Sequence, residues 1–218
     1  MMRVLIPLLM ALALPVHATD RPVNGETLLR TTLASPAARL ARAQVLEGTF
    51  THRKQLREIP KPLIATGEFT FARELGVYWH TQKPFDSVML LTPNGIRELT
   101  GKTETLSLSA DEQPAVRVVA EVFLALFTLD MTRLERNFAL TTSVEGTAAG
   151  RWTIGLEPRA AAITNLFVHA TITGAADVEQ VVLTDTHGDQ TVIDLEAIRY
   201  SNAPPSAATR ALFAPAKP

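Results

Sequence analysis

The chain has 218 residues, of which 46% are hydrophobic and 20% charged, and it contains no cysteine. Its 21 Lys and Arg residues balance 22 Asp and Glu residues, so it lacks the basic excess of a nucleic-acid-binding protein. Without cysteine there is no disulfide scaffold, thiolate metal site or Cys nucleophile. The length suits one large domain, and the mean hydropathy of +0.11 directs attention to where the apolar residues lie.

The amino terminus accounts for much of this hydropathy. A short basic segment, Met1-Met2-Arg3, precedes an apolar run over residues 4–16, and Val16-His17-Ala18 places compact side chains as at a signal-peptidase site. The run is too short to span about 30 Å of hydrocarbon as a helix, so a membrane anchor is the weaker alternative. The sequence therefore predicts a signal peptide over 1–18, cleaved after Ala18, and one exported domain over 19–218.

The first half of the mature chain is predicted to be a helix followed by a meander of strands. Residues 22–43 have helical spacing in two pieces, with a stop and restart at Ser35-Pro36. From Leu46 the apolar period becomes two, which is typical of strands with one wet face. Strands are predicted over 46–53, 67–73, 75–81, 85–91, 96–99 and 103–109, with a hairpin turn at Asn94-Gly95.

The second half begins with a helical insertion. Residues 111–129 have helical spacing, and Asp130 is a plausible cap for a short helix through Asn137. The period of two then returns, and the Pro- and Ala-rich tail over 202–218 is expected to be loose unless Leu212-Phe213 docks. The fold class is mainly β with helices (α+β), about eleven antiparallel strands in one domain. The later strands are predicted over 138–144, 151–157, 163–172, 178–185 and 190–198.

No catalytic or cofactor motif is present in the sequence. There is no nucleophile elbow, phosphate-binding loop or dinucleotide-binding fingerprint. The four histidines of the mature chain fall on different predicted strands or turns, so a metal site is disfavoured. No carboxylate pair has the apolar surroundings that acid–base catalysis needs. We therefore expect a protein that is not an enzyme and that has no cofactor or metal.

Apolar and aromatic residues share one face on three successive predicted strands, and an arginine ends one of these faces. Stacked together, the faces would form an apolar wall with a guanidinium at its rim. Two interpretations remain open at this point: a filled core in which the arginine reaches water, or a curved sheet around a lipid-sized cavity. The residues of these faces are Phe69, Phe71 and Arg73, then Leu75, Val77 and Trp79, then Phe85, Met89 and Leu91.

This segment resembles the periplasmic outer-membrane lipoprotein carrier family, LolA. That family has a Phe-Thr-Gln strand, a Gly-led strand that ends in Arg-Pro, an aromatic-Trp strand that closes with Pro, and an Asp-Gly hairpin. The corresponding residues here are Phe50-Thr51-His52, Gly67 to Arg73-Glu74, Val77-Tyr78-Trp79-His80 to Pro84, and Asn94-Gly95. Glu74 and His52 depart from the family pattern, as does Ile96-Arg97-Glu98-Leu99, which stands where the family has an aromatic-rich strand.

The resemblance implies an unclosed barrel with a mid-chain helical lid over a hydrophobic cavity for acyl chains. Arg73 matches the family arginine whose side chain holds the lid closed by hydrogen bonds to the backbone of the lid. The resemblance also implies a lipoprotein or lipid cargo, an inner-membrane ABC-type releasing complex and an outer-membrane receptor, with the carrier itself a monomer. The expected lipid-binding residues are Phe50, Phe69, Phe71, Val77, Trp79, Met89, Leu91, Val119, Phe123, Leu124 and Phe127.

The resulting hypothesis is a periplasmic carrier that shuttles acylated cargo from the inner to the outer membrane. One alternative is a non-transporting module on the same fold that senses a lipid or a peptide. A periplasmic hydrolase is a third possibility, for which the sequence offers no nucleophile–base pair.

Overall fold

The computed structural model describes residues 25–145, 150–159, 161–165 and 167–214. The predicted signal peptide and its cleavage site after Ala18 lie outside the described residues. The helices are α1 (Gly25–Arg42), α2 (Pro114–Thr128), α3 (Met131–Asn137), α4 (Ala161–Thr164) and α5 (Ala207–Leu212). The strands of the first half are β1 (Val45–Gln55), β2 (Leu63–Ala72), β3 (Gly76–Lys83), β4 (Ser87–Thr92), β5 (Gly95–Thr100) and β6 (Thr103–Ser109). Those of the second half are β7 (Phe138–Glu145), β8 (Arg151–Pro158), β9 (His169–Gly174), β10 (Val178–Thr184) and β11 (Gln190–Ser201).

All eleven strands form one antiparallel sheet in the order β6-β5-β4-β3-β2-β1-β11-β10-β9-β8-β7. Two meanders are joined where the first strand pairs with the last, with Phe50 opposite Leu195. Strands β6 and β7 end the sheet on either side, so it is unclosed. The mid-chain helices α2 and α3 connect these two edges. The predicted α+β class and the unclosed eleven-stranded arrangement are confirmed.

Helix α1 differs from its prediction because it continues through Pro36 instead of restarting there. Proline lacks an N–H, so the turn loses its hydrogen bond to the carbonyl of Thr32, and such a position costs about 3 kcal/mol. Pro36 is buried, as are Leu33 and Leu40 on the same helix. Burial of this apolar face offsets the missing hydrogen bond and keeps α1 in one piece.

Three other elements differ from the sequence prediction. The segment expected to be a strand over 163–172 begins within helix α4 and reaches β9 only at His169. The strand expected over 85–91 begins at Ser87, and Phe85 lies exposed in the preceding turn. The tail contains α5, whose N-cap Ser206 accepts a hydrogen bond from the Thr209 N–H.

The inner face of the curved sheet carries the hydrophobic core. Buried side chains come from both meanders, among them Phe69 and Phe71 of β2 and Trp152 and Ile154 of β8. Helices α1, α2 and α3 add Leu40, Ala120 and Leu134 from the other side. No helix in the described part of the chain is long and apolar enough to cross a membrane.

Candidate functional site

An apolar cavity lies on the inner face, between the two meanders and beneath α1 and α2. Its volume is about 80 Å³, smaller than an engineered cavity of about 150 Å³ that admits benzene. The cavity is lined by Leu40, Leu46, Phe69, Trp79, Leu126, Phe127, Leu156, Phe167, Ala170, Val178, Val181, Leu183, Ile193, Leu195, Ile198 and Tyr200. All of these side chains are apolar except for the phenol of Tyr200, so the site is built for hydrocarbon and is nearly filled by the protein itself.

A continuous stack of aromatic rings forms one wall. The Phe50 and Trp79 rings are stacked at an interplanar angle of 23° with centroids 3.8 Å apart, and the Phe69 ring centroid lies 6.1 Å from that of Trp79. Phe127 of α2 then packs 5.4 Å from Phe69 and 5.6 Å from Phe71. Because its ring is seated against two rings of the sheet, Phe127 closes the cavity on the helical side.

Two glycines make room for this stack. A Cβ on Gly48 would lie 2.8 Å from the Phe69 ring, and one on Gly67 would lie 2.9 Å from the Phe50 ring. On Gly67 it would also lie 1.9 Å from the carbonyl oxygen of His80. Glycine at both positions therefore lets Phe50 and Phe69 lie close against the backbone of the sheet.

Arg73 holds the C-terminal end of α1. Its Nε donates to the Ala43 carbonyl at 3.1 Å, and its Nη2 donates to the carbonyls of Leu40 at 2.6 Å and Ala41 at 3.1 Å. These carbonyls end a helix and carry its negative partial charge, which a guanidinium complements. The sequence prediction placed this contact on the mid-chain helix, and the hydrogen bonds described for Arg73 go instead to α1.

A second cavity separates Arg73 from the mid-chain helices. Its volume is about 370 Å³. Its lining combines polar and apolar side chains: Ala37, Ala41, Phe71, Arg73, Leu124, Thr128, Leu129, Asp130, Met131 and Arg133. The α2–α3 junction therefore faces the arginine across open space.

A second polar cluster ties α1 to the opposite side of the cavity. The hydroxyl of Tyr200 donates to Asp177, and Arg39 of α1 pairs with the same carboxylate oxygen at 2.5 Å. The Arg39 guanidinium also lies 5.0 Å from the centroid of the Tyr200 ring. Burial, followed by the hydrogen bond and charge of Asp177, raises the pKa of Tyr200 above its usual range. The phenol therefore remains a hydrogen-bond donor at physiological pH.

His52 is a polar group on this otherwise apolar inner face. It lies two residues beyond Phe50 on β1 and opposite Ile193, which lines the cavity. Its Nε2 is buried and has no hydrogen-bond partner among the described residues. Burial, and then the charge of Lys54, lowers the pKa of His52, which favours a neutral imidazole.

Three of the predicted lipid-binding residues, Phe69, Trp79 and Phe127, line the cavity directly. Four others, Phe50, Phe71, Val77 and Leu91, are buried in the core around it. Leu124 lines the second cavity instead. Met89 is half-buried opposite Trp79 and is not among the cavity-lining residues. The side chains of Val119 and Phe123 lie outside the described residues.

Sequence reasoning missed the wall that β8 to β11 contribute. In β11 the lining residues Leu195 and Ile198 are three positions apart. The reason is a β-bulge in the pairing of β1 with β11: the register shifts between Glu47 and Thr49 of β1, and Ala197 of β11 has a φ of 51°. A second bulge, in the pairing of β10 with β9, likewise places the lining residues Val178 and Val181 three positions apart. Strict alternation could have identified Val181 with Leu183, and Ile193 with Leu195, but not the residues across the bulges.

Among the described residues, no group of three or more His, Asp or Glu side chains could hold a metal ion. The nearest approach to a charged cluster is His80, whose Nε2 lies 2.7 Å from Asp86 and whose Nδ1 lies 3.4 Å from Glu68. It lies on the sheet surface away from the cavity lining.

Comparison with known proteins gives a family match. A family model described as "Outer membrane lipoprotein carrier protein LolA" matches residues 41–210. No curated protein sequence matches the chain. A solved LolA superfamily protein of Nitrosomonas europaea is similar over 84% of this chain and 96% of its own, at 8% identity and a TM-score of 0.44. A chain in the MucA/MucB complex of Pseudomonas aeruginosa is similar over 85% of this chain and 61% of its own, at 14% identity and a TM-score of 0.47.

Proposed function

Because the chain belongs to the outer-membrane lipoprotein carrier family, LolA, whose model matches residues 41–210, we propose that it is a periplasmic carrier of acylated cargo. It shields the acyl chains of a lipoprotein or lipid in its cavity and shuttles them from the inner to the outer membrane. The observation that carries this proposal is the apolar cavity enclosed by both meanders and closed by Phe127. The proposal includes a signal peptide cleaved after Ala18 and a monomeric carrier.

In the proposed carrier, the arrangement with Phe127 against the sheet is the closed state, whose cavity is too small to hold an acyl chain. An acyl chain needs far more than 80 Å³, since ligand pockets are usually about 300–1,000 Å³. Entry of cargo therefore displaces Leu126 and Phe127 of α2. Both side chains are half-buried, so exposing them costs roughly 2–3 kcal/mol, whereas ten buried methylenes contribute about 8 kcal/mol. The balance favours loading and leaves a difference small enough for release.

The proposed lipid contacts extend from the predicted residues to the newly identified wall. Phe69, Trp79 and Phe127 contact the acyl chain from one side, and the lining residues of β8 to β11 contact it from the other. The unpartnered Nε2 of His52 lies along this inner face and serves the polar end of the chain. Arg73 acts as a latch that holds α1 in place while α2 opens. An inner-membrane ABC-type complex and an outer-membrane receptor are the proposed donor and acceptor partners.

Acyl binding by the purified mature chain tests the proposal. Native mass spectrometry of periplasmic protein should show bound acyl species, and a fluorescent fatty acid should bind in competition with them. Ala170→Leu fills the cavity, in which Ala170 is a lining residue, and should weaken probe binding about tenfold or more. Ala110→Leu is the matched control, because Ala110 is equally buried but outside the cavity lining. Absence of both bound lipid and probe binding would refute the carrier.

A second candidate function is a lipid- or peptide-sensing module that does not transport. The observation in its favour is that Phe127 and its neighbours nearly fill the cavity, as a module with transient occupancy requires. Transfer of bound probe to acceptor vesicles separates the two functions. A carrier releases its probe, whereas a sensor retains it or exchanges it only when a protein partner is present.

A further inference from the structure

Most of the exposed large apolar side chains of the described residues gather at one end of the sheet. There, Phe85 is 80% exposed, Leu63 57%, Ile64 53%, Val168 50% and Ile59 42%. Within the described ranges, only two other large apolar side chains are exposed, Leu106 of β6 and Leu212 of α5. Single exposed apolar residues need no explanation, but five at the same end of the sheet indicate an interaction surface.

The strand register places these five residues along a continuous rim. Leu63 pairs with Lys54, and Gln55 pairs with Gln190, so the β1–β2 hairpin tip adjoins the β10–β11 turn. Thr66 pairs with Lys83, which brings the β3–β4 turn and Phe85 to the same end. Thr184 pairs with His169, which adds Val168. We call these residues, from the β3–β4 turn to Val168, the apolar rim.

The β1–β2 hairpin projects beyond its neighbour on one side. Strand β2 pairs with β3 only from Thr66 onward, although it pairs with β1 from Leu63. Leu63 and Ile64 therefore extend past the end of β3, where both side chains reach solvent. Pro60 and Pro62 in the adjoining loop lack the N–H groups that pairing with a further strand would use.

The projecting hairpin is also positively charged. Residues 53–64 contain Arg53, Lys54, Arg57 and Lys61 against Glu58, a formal charge of +3 in a chain whose net charge is −1. Arg53 is paired with Asp194 at 2.5 Å. Within the described part of the chain, neither Lys54 nor Lys61 lies within ion-pair distance of a carboxylate.

The carboxylates nearest this hairpin are already engaged by backbone groups. Asp189 accepts a hydrogen bond from the Arg57 N–H at 2.9 Å. Asp185 accepts from the N–H groups of His187 at 2.8 Å and of Asp189 at 3.0 Å. Both acids therefore help to shape the turn beside the hairpin, where the Arg57 guanidinium also donates to the His187 carbonyl at 3.2 Å. Lys54 and Lys61 are left without a carboxylate partner among the described residues.

We propose that the apolar rim docks on the surface of an anionic bilayer. Its apolar side chains enter the boundary between headgroups and acyl chains, and Lys54 and Lys61 contact headgroup phosphates. Such interleaving of apolar and basic side chains is the chemistry of interfacial binding, and long basic side chains can reach phosphates from a buried stem. Docking goes beyond the proposed carrier function, because it depends on the outer rim and not on the cavity.

Vesicle co-sedimentation of the mature chain tests the docking. We expect binding to vesicles of phosphatidylcholine mixed with phosphatidylglycerol to be about 25-fold or more tighter than to phosphatidylcholine alone, with the difference lost at high salt. Lys54→Gln with Lys61→Gln should weaken binding to the anionic vesicles roughly 25-fold, since each basic residue near the surface contributes about fivefold. Leu63→Ser with Ile64→Ser should weaken it by a similar factor, at every salt concentration.

The control is Leu106→Ser with Leu212→Ser, which removes two exposed apolar side chains elsewhere and should leave vesicle binding unchanged. A Phe85→Trp variant should also show a blue shift of its fluorescence when anionic vesicles are added. Equal or absent binding to the two vesicle types would overturn the docking, as would an equal loss in the control. Binding of the fluorescent fatty acid, measured in the same variants, shows separately whether the carrier function stands. Capture of a membrane protein by the rim without vesicle binding would assign it to a protein partner and overturn the proposal.

Discussion

Replacement of Phe127 by alanine should make the protein less stable and a better binder of acyl chains. In the closed state the ring of Phe127 packs 5.4 Å from Phe69 and 5.6 Å from Phe71, and it occupies space that an acyl chain would take. Phe127→Ala removes those contacts from the empty protein. In the loaded protein the ring is already displaced, so the substitution loses little there.

The size of both effects follows from this difference. Core Phe→Ala substitutions cost about 3–5 kcal/mol, but Phe127 is only half-buried, so a loss of about 2–3 kcal/mol is expected. At about 2–4 °C per kcal/mol for a chain of this size, the Tm should fall by roughly 4–12 °C. The same free energy no longer opposes loading, and probe affinity should rise by roughly 30- to 150-fold.

Thermal unfolding and titration with a fluorescent fatty acid measure the two quantities on one preparation. The control is Leu134→Ala, since Leu134 is fully buried on α3 but lines neither cavity. It should lower the Tm by a comparable amount and leave probe affinity unchanged. If Phe127→Ala lowers the Tm while probe affinity stays constant or falls, Phe127 is an ordinary core residue and the account of cavity closure is wrong.

Three further substitutions test the supports of the site. Arg73→Leu leaves three carbonyls at the C-terminal end of α1 without their charged donor. The free energy of unfolding in urea should therefore fall by about 2 kcal/mol, and probe transfer to vesicles should slow. Unchanged transfer would remove Arg73 from the mechanism. Gly67→Ala places a Cβ 1.9 Å from the His80 carbonyl oxygen, so it should separate β2 from β3. It should lower the Tm more than Gly101→Ala, whose Cβ would meet nothing within 4 Å and whose only cost is that of alanine at a φ of 61°. An equal effect would contradict the close approach. Burial lowers the pKa of His80, but the hydrogen bonds that its ring donates to Asp86 and Glu68, together with the charges of these carboxylates, outweigh burial and raise the pKa above its usual value. The stabilisation of the fold by protonated His80 is therefore complete below the unfolded pKa and is lost as pH rises through the folded pKa. Asp86→Asn should lower the His80 pKa in an NMR titration.

The first meander of the site could be read from the sequence because its strands keep strict alternation. Phe69 and Phe71 share a face with Trp79, and the structure places all three on the aromatic side of the core. The second meander could not be read in this way. The bulge at Ala197 shifts Ile198 and Tyr200 back onto the inner face, and no local pattern announces that shift.

Helix boundaries failed where tertiary packing outweighed a local signal. The Ser35-Pro36 pair is a stop signal, yet burial of Pro36 and Leu40 carries α1 through it. The hydrogen-bond acceptors of Arg73 could likewise not be predicted from the local sequence, which shows only that a guanidinium removed from water needs acceptors. Which helix end supplies them depends on the curvature of the whole sheet.

The distribution of polar contacts indicates which helix moves when the cavity opens. Helix α1 is held at its C-terminal end by Arg73 from β2 and by the Arg39–Asp177 pair from the far meander. For α2, the described side-chain hydrogen bonds stay local: Arg117 donates to Ala110, and the Thr128 hydroxyl donates within its own helix. For the α2 side chains that the structure describes, contact with the sheet therefore rests on apolar packing, above all that of Phe127. Because apolar packing can be replaced by an acyl chain without leaving a buried polar group unpaired, we expect α2 of the proposed carrier to open while α1 stays in place.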